Sequence, residues 1–262
     1  MRKEKDSMGE VFVPDDAYYG AQTQRAAENF PISNRRIPRT LIKSLAMIKK
    51  SAAIVNHKLS RLNDEIKDAI VSACDEVIDG KHDSQFIVDI FQTGSGTSSN
   101  MNINEVLSNR ANEILGHELG DKFPVHPNDH VNLGQSSNDT FPSAINISIS
   151  LDVDSNLLPA LNELLKSLNI KTKEFSNIIK IGRTHLQDAT PVTLGQEFSG
   201  YAQMIQNSIY KIKDSLKYIH YLAQGGTAVG TGINTHPDFG KMIAKELSKD
   251  SGISFNEASI LY

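Results

Sequence analysis

The sequence predicts an all-α fold, with a small mixed or helical amino-terminal domain followed by a bundle of long helices. Three observations carry this expectation. After Pro38, apolar residues recur at three- and four-residue spacings through most of the chain, the period of a helix that buries one face. Two of these runs outlast an ordinary globular helix, and rods of that length need apolar stripes on other helices to cover them. Strand candidates are confined to two or three short runs near the start.

Residues 1–35 mix extended candidates, such as residues 10–13, with Gly, Pro and Asn, and read as an irregular arm or a small hairpin with little helix signal. Next, Leu41, Ile42, Leu45, Ile48, Ala52 and Val55 form the stripe of a first helix, and a second follows near residues 64–78. A third opens after the loop 92–100. Ile103, Val106, Leu107, Ala111 and Ile114 share its buried face, Asn104, Glu105 and Arg110 lie off it, and Gly116 and Gly120 end it. Beyond Pro142, Ile145, Ile149, Val153, Leu157, Leu161, Leu164, Leu165 and Leu168 mark about six turns of buried helix, which Pro159 kinks or breaks. Thr190-Pro191 signals the start of the longest run, from Phe198 through Ala202, Ile209 and Leu216 to Leu222. It covers roughly 30 residues, on the order of 45 Å of helix. A boundary near residue 138 divides the chain into 1–138 and 139–262.

Lys and Arg number 27 against 31 Asp and Glu, a formal charge of −4, so neither nucleic acid nor an anionic membrane is an expected partner. Cys74 is the only cysteine, which excludes an internal disulfide or a cysteine metal cluster and fits a reducing compartment. The first residues carry no apolar signal core, and no window approaches the ~20 apolar residues of a membrane span. A cytoplasmic protein is expected.

Polar loops at helix ends hold the chemistry. Residues 93–100, TGSGTSSN, precede a helix; their small side chains and the free amides of a helix start suit an anion, and Ser, Thr and Asn equally suit helix capping. The second loop runs from His126-Pro127-Asn128-Asp129-His130 through Gln135-Ser136-Ser137-Asn138-Asp139 to a helix start at Pro142. Its two histidines lack a third ligand and Pro127 lies between them, so no metal site is expected. Ser136, Ser137 and Asn138 are neutral donors fit for a carboxylate, or again for a cap. In the third loop, 182–191, Arg183, Thr184 and His185 stand together; the histidine either relays a proton near neutral pH or is simply exposed. The glycine-rich turn 225–232 lacks the Lys of a phosphate loop and follows no expected strand, which argues against nucleotide binding.

Taken together, TGSGTSSNMNINEV, HPNDHVN, GQSSNDTFP, KIGRTHLQDATPVTLGQE and GGTAVGTGINTHP, in that order, resemble the class II fumarases of the fumarase/aspartase superfamily. The opening EKDSMGEVFVPDDAYYGAQTQRA resembles the start of that family, so the likeness covers essentially all 262 residues. Aspartate ammonia-lyases have similar loops but tend to carry Thr where Ser137 stands and Gln where His185 stands; argininosuccinate and adenylosuccinate lyases match less well. The resemblance implies reversible hydration of fumarate to (S)-malate, a step of the tricarboxylic acid cycle, through an aci-carboxylate and without cofactor or metal. It implies that Ser95, Gly96, Thr97, Ser136, Ser137, Asn138 and Thr184 bind the dicarboxylate and that His185 moves a proton through a bound water. It further implies a second dicarboxylate site at His126, Pro127, Asn128 and Asp129, and a homotetramer whose sites join loops of three subunits.

Two departures stand out. Leu133-Gly134 replaces the Lys-Ser of many bacterial relatives, and the family's later GSSxMPxKxNP loop, which supplies a catalytic serine, does not occur before Ile260-Leu261-Tyr262, where the run-up to another long helix is expected. The chain alone is therefore expected to have very weak hydratase activity or none, as a fragment or as one half of a split enzyme. Aspartate ammonia-lyase and a non-catalytic helical scaffold, as in the lens crystallins of this superfamily, are the alternative readings.

Overall fold

The computed structural model describes residues 1–259; the expected run-up to a further helix at Ile260, Leu261 and Tyr262 lies outside them. The described chain is mainly helical, with eight α-helices and three two-stranded sheets. Its contacts divide it into two compact units, one of Met1–Ile149 together with the described residues from His220 on, the other of Ser150–Ile219. This division differs from the boundary expected near residue 138 because the segment after His220 returns to the first unit. Asn146 donates to the Tyr221 carbonyl, and Asp139 accepts the Gly225 and Thr227 amides.

The first unit opens with β1 (Arg2–Asp6) and β2 (Gly9–Val13), an antiparallel hairpin paired from Arg2↔Val13 to Asp6↔Gly9. Helix α1 (Ala21–Asn29) follows where the sequence carried little helix signal. Its start has no side-chain cap of its own. Instead the Glu105 carboxylate accepts from the Gly20, Gln22 and Thr23 amides and from the Thr23 hydroxyl, so the missing signal sits more than eighty residues away in the chain. The same bonds bury Glu105 and correct its expected place on an outer face; Asn104 is buried too, whereas Ile114 is exposed.

Helix α2 (Arg39–Lys58) packs against α3 (Asp64–Ile78) and α8 (Phe239–Ser251). Covered from more than one side, it buries its predicted stripe and also Ser44, Lys49, Ser51 and Asn56. The Asn63 side chain caps α3 by accepting from the Ile66 amide at 2.9 Å. Helix α4 (Thr97–Ile114) ends at Gly116 (φ 84°), where the His117 amide reaches the Asn112 carbonyl and the Gly116 amide that of Glu113, closing the last carbonyls. A single turn of π-helix at Pro127–Val131 precedes α5 (Ser137–Asp152), which begins five residues before the expected start, so that Pro142 lies inside it.

In the second unit a π-turn at Val153–Leu157 leads into α6 (Leu158–Glu174), and Pro159 sits in its first turn, marking the expected break. Helix α7 (Leu194–Ile219) packs on α6, with Phe175 and Phe198 edge to face at 5.2 Å. The stripe expected to be buried is largely open: Leu157 and Leu164 are exposed, and Leu161, Leu165 and Leu168 are half-buried. Within this unit α7 is the helix that packs on α6, and part of the apolar face stays open to solvent. Between the two helices lies a hairpin that the sequence reading took for a loop. It pairs β3 (Ile179–Thr184) with β4 (Gln187–Thr193), and Pro191 belongs to β4 rather than to the start of α7. Near its end the described chain adds two parallel two-residue strands, β5 (Tyr221–Leu222) and β6 (Asn256–Glu257).

Candidate active site

In the first unit the amino termini of α4 and α5 meet. Ser95 Oγ lies 2.8 Å from Thr97 Oγ1, which lies 2.9 Å from Ser137 Oγ. Three hydroxyls joined by two hydrogen bonds leave one O–H to offer outward, and rotation of the hydroxyls decides at which end. The hydroxyls of the first loop bond one another and that of Ser137 rather than the start of α4. No side chain caps α4 at Gly96; the Ser99 amide is instead taken by Gln92 Oε1 at 2.9 Å, which leaves Ser95 and Thr97 for each other. In the second loop Ser136 does act as a cap, its Oγ accepting from the Asn138 amide, while Ser137 turns to Thr97.

The approach of the two helices depends on Gly96. Its backbone is left-handed (φ 71°), and a Cβ would stand 2.3–2.5 Å from ring carbons of Phe141 on α5. Gly134, one of the two departures from bacterial relatives, is also left-handed, and a Cβ there would stand 2.7 Å from Thr235 Oγ1.

Behind the hydroxyls lies Asp139, 2% exposed. It accepts from the Ser136 amide at 2.9 Å, the Thr227 amide at 2.8 Å and the Gly225 amide at 3.2 Å. Burial pushes its pKa up against the pull of these amides and of Lys49. Asn138 Nδ2 donates to the Ala228 carbonyl at 2.7 Å. The glycine-rich turn thus supports the α5 start, and β5 does precede it, contrary to the expectation of no strand there.

His126 caps the π-turn: its Nδ1 accepts from the Asn128 and Asp129 amides, and its own amide donates to His130 Nδ1 at 2.8 Å. An Nδ1 that accepts carries no proton, so the Asp129 carboxylate 3.1 Å away makes an ion pair only if His126 becomes protonated. Burial lowers the pKa of His130. Pro127 is buried, Asn128 and Asp129 exposed. Among the described residues no three His, Cys, Asp or Glu side chains gather as a metal site.

Thr184 and His185 belong to the second unit, apart from the other predicted residues in the chain's division. Thr184 pairs with Gln187, so His185 (φ 49°) and Leu186 (φ 64°) form the two-residue tip of the hairpin with both backbones left-handed. Such tips usually take Asn-Gly; a β-carbon costs roughly 1–2 kcal/mol per residue in this conformation. Both side chains are exposed, Leu186 at 93%.

Sequence reasoning missed Asp139 and a polar cluster under the second loop. Lys49 Nζ donates to Asn132 Oδ1 at 2.8 Å and to Gln135 Oε1 at 3.0 Å. One signal existed: Lys49 lies four residues from Leu45 and four from Ala53, on a side of α2 where a charge is out of place.

A lyase family profile matches residues 9–260. The chain is 55% identical over 259 residues to the mitochondrial fumarate hydratase of Saccharomyces cerevisiae, covering 98% of this chain and 53% of that protein. With the class II fumarate hydratase of Campylobacter jejuni it shares 55% identity over 254 residues, 97% of this chain and 55% of that one. A crystal structure of recombinant class II fumarase from Schistosoma mansoni superposes with a TM-score of 0.97 at 46% identity, covering all of this chain and 58% of that chain. The chain thus spans about half the length of the curated relatives it matches, their amino-terminal part. Loops, fold and similarity agree that this chain belongs to the lyase family, where it resembles the amino-terminal half of class II fumarate hydratases.

Proposed function

We propose that the chain supplies the amino-terminal half of a fumarate hydratase, which interconverts fumarate and (S)-malate in the tricarboxylic acid cycle. The observation that carries this reading is the hydroxyl chain Ser95–Thr97–Ser137 at two converging helix starts, an array of neutral donors where both helix dipoles favour an anion. Dehydration of malate removes a proton from the carbon beside a carboxylate. The electron pair moves onto that carboxylate, which becomes the more negative aci form, and hydroxide leaves with a proton as water. Donors fixed before the reaction stabilise the added charge, each worth about 3 kcal/mol of barrier.

In this reading Ser95, Gly96, Thr97, Ser136, Ser137 and Asn138 hold one dicarboxylate. Thr184 binds it from the hairpin, and His185 passes a proton through a bound water. His126, Pro127, Asn128 and Asp129 form a second dicarboxylate site. Residues 1–138 act as the amino-terminal lyase domain and 139–262 as the first part of the central bundle. The open apolar faces of α6 and α7 support a homotetramer in which several subunits share each site. A cytoplasmic location is part of the proposal; no described helix is long and apolar enough to cross a membrane.

The test combines the chain with a polypeptide carrying the remaining carboxy-terminal part of a class II fumarase and follows fumarate by its ultraviolet absorbance. Turnover that needs both parts supports the reading. No turnover by the mixture refutes it, and ammonia release from aspartate would move the assignment to aspartate ammonia-lyase.

A further inference from the structure

Lys49 is among the largest fully buried side chains, yet it makes no ion pair within 4.0 Å among the described residues. Its ammonium meets two neutral amide oxygens. Asn132 Oδ1 also accepts from Asn100 Nδ2 at 3.2 Å, and Asn100 stands in the first turn of α4. Asn132 Nδ2 in turn donates to the Gln135 carbonyl, and Gln135 Nε2 to the carbonyls of Val131 and Leu133. Every member of this cluster serves the segment 131–135, which runs directly into Ser136, Ser137 and Asn138. One buried amine is therefore the hub that fixes the α5 start to that of α4.

We propose that Lys49 is a positioning residue of the dicarboxylate site: its ammonium, through Asn132 and Gln135, holds the turn that presents Ser136, Ser137 and Asn138. The proposal rests on the dicarboxylate reading given above and deepens it. A buried cation with no carboxylate partner is costly to maintain, and its charge remains available to a dianion arriving at the two helix starts. The titratable groups that face it are Asp139 from α5 and the Cys74 thiol from α3. Burial lowers its pKa to about 7, with Asp139 pulling the other way. Near neutrality the amine thus exchanges charge-assisted bonds for neutral ones of about half the strength, and a bound dicarboxylate draws the proton back.

The test follows the Lys49 Cε resonance and the amides of Asn132, Gln135, Ser136 and Ser137 in the full chain by nuclear magnetic resonance, as pH is raised through neutrality. The expected result is one midpoint near 7 shared by the lysine and the loop amides. In Lys49→Met the loop amides should lose that midpoint, while the Gly20 and Thr23 amides held by Glu105 stay still. If the Met variant does not fold, Lys49→Arg, charged at every working pH, replaces it with the same expectation. Loop amides that ignore the lysine, or that keep their midpoint in the variant, overturn the proposal. On the same amides, fumarate should bind roughly tenfold more weakly to Lys49→Met than to the wild type; equal binding also overturns it. Absence of binding by both proteins counts against the dicarboxylate reading alone, and the amide titration still decides the role of Lys49.

Discussion

Gly96→Ala tests whether the two helix starts are held together as described. The new methyl meets two costs. The left-handed backbone (φ 71°) penalises a Cβ by about 1–2 kcal/mol. The Phe141 ring, whose carbons stand 2.3–2.5 Å from the Cβ position, must shift, and overpacking of that kind costs about 1–3 kcal/mol. The sum is a destabilisation of about 2–5 kcal/mol. With a urea slope of about 2 kcal/mol per molar, the unfolding midpoint of the first unit falls by about 1–2.5 M at unchanged slope. Pairing the change with Phe141→Ala, which removes Cγ and the ring carbons, separates the two costs. In the Ala background the clash is gone and Gly96→Ala should cost only the backbone part, a coupling of about 1–3 kcal/mol in the double-mutant cycle. A loss below about 0.5 kcal/mol for Gly96→Ala alone would refute the close approach. An equal cost in both backgrounds would refute the role given to Phe141.

Thr97→Val removes the middle hydroxyl of the chain while keeping its shape; fumarate affinity in the completed enzyme should fall roughly tenfold, measured by calorimetry, because both neighbours lose a partner. In the same enzyme His185→Asn should lower kcat about a hundredfold with little change in substrate binding, since proton transfer rather than contact is lost; equal losses in both would contradict that role. The Arg110 guanidinium, with His82 beside it, holds Glu76 well below its ordinary 4.5, at about 2. A depressed carboxyl stabilises the fold above its unfolded value, so this contribution is complete above pH 4.5 and is lost as pH falls towards 2. Arg110→Met should flatten that part of the acid unfolding curve.

The helices α2, α3, α4 and α7 were legible because each carries a long apolar period, which a single strand of text displays. Helix α1 and the β3–β4 hairpin were not. The α1 start is completed by Glu105, a partner remote in the chain, and in the hairpin Gly182, Asp188 and Pro191, residues depleted in strands, interrupt the strand-favouring Ile, Thr and Val. In the site, the loops that carry Ser95, Thr97 and Ser137 stood out by composition, but that the hydroxyls of Ser95 and Thr97 leave the α4 start uncapped depended on Gln92 taking the Ser99 amide, a fact of geometry alone. Lys49 and Asp139 escaped notice because burial, not residue type, makes them unusual.

The staple formed by Asp139 also dictates when the site can come into being. Its carboxylate collects amides from Ser136, three residues back, and from Gly225 and Thr227, more than eighty residues ahead, with the whole of the second unit encoded in between. As the chain leaves the ribosome, the head of α5 exists long before two of its three amide donors do. Until then Asp139 is a carboxylate that must stay in water, because burying it without them is too costly. The hydroxyls at Ser136 and Ser137 therefore reach their final setting as a late event in biogenesis, after α6, the hairpin and α7 have all been made, which ties completion of the α5 start to completion of the segment that carries His185.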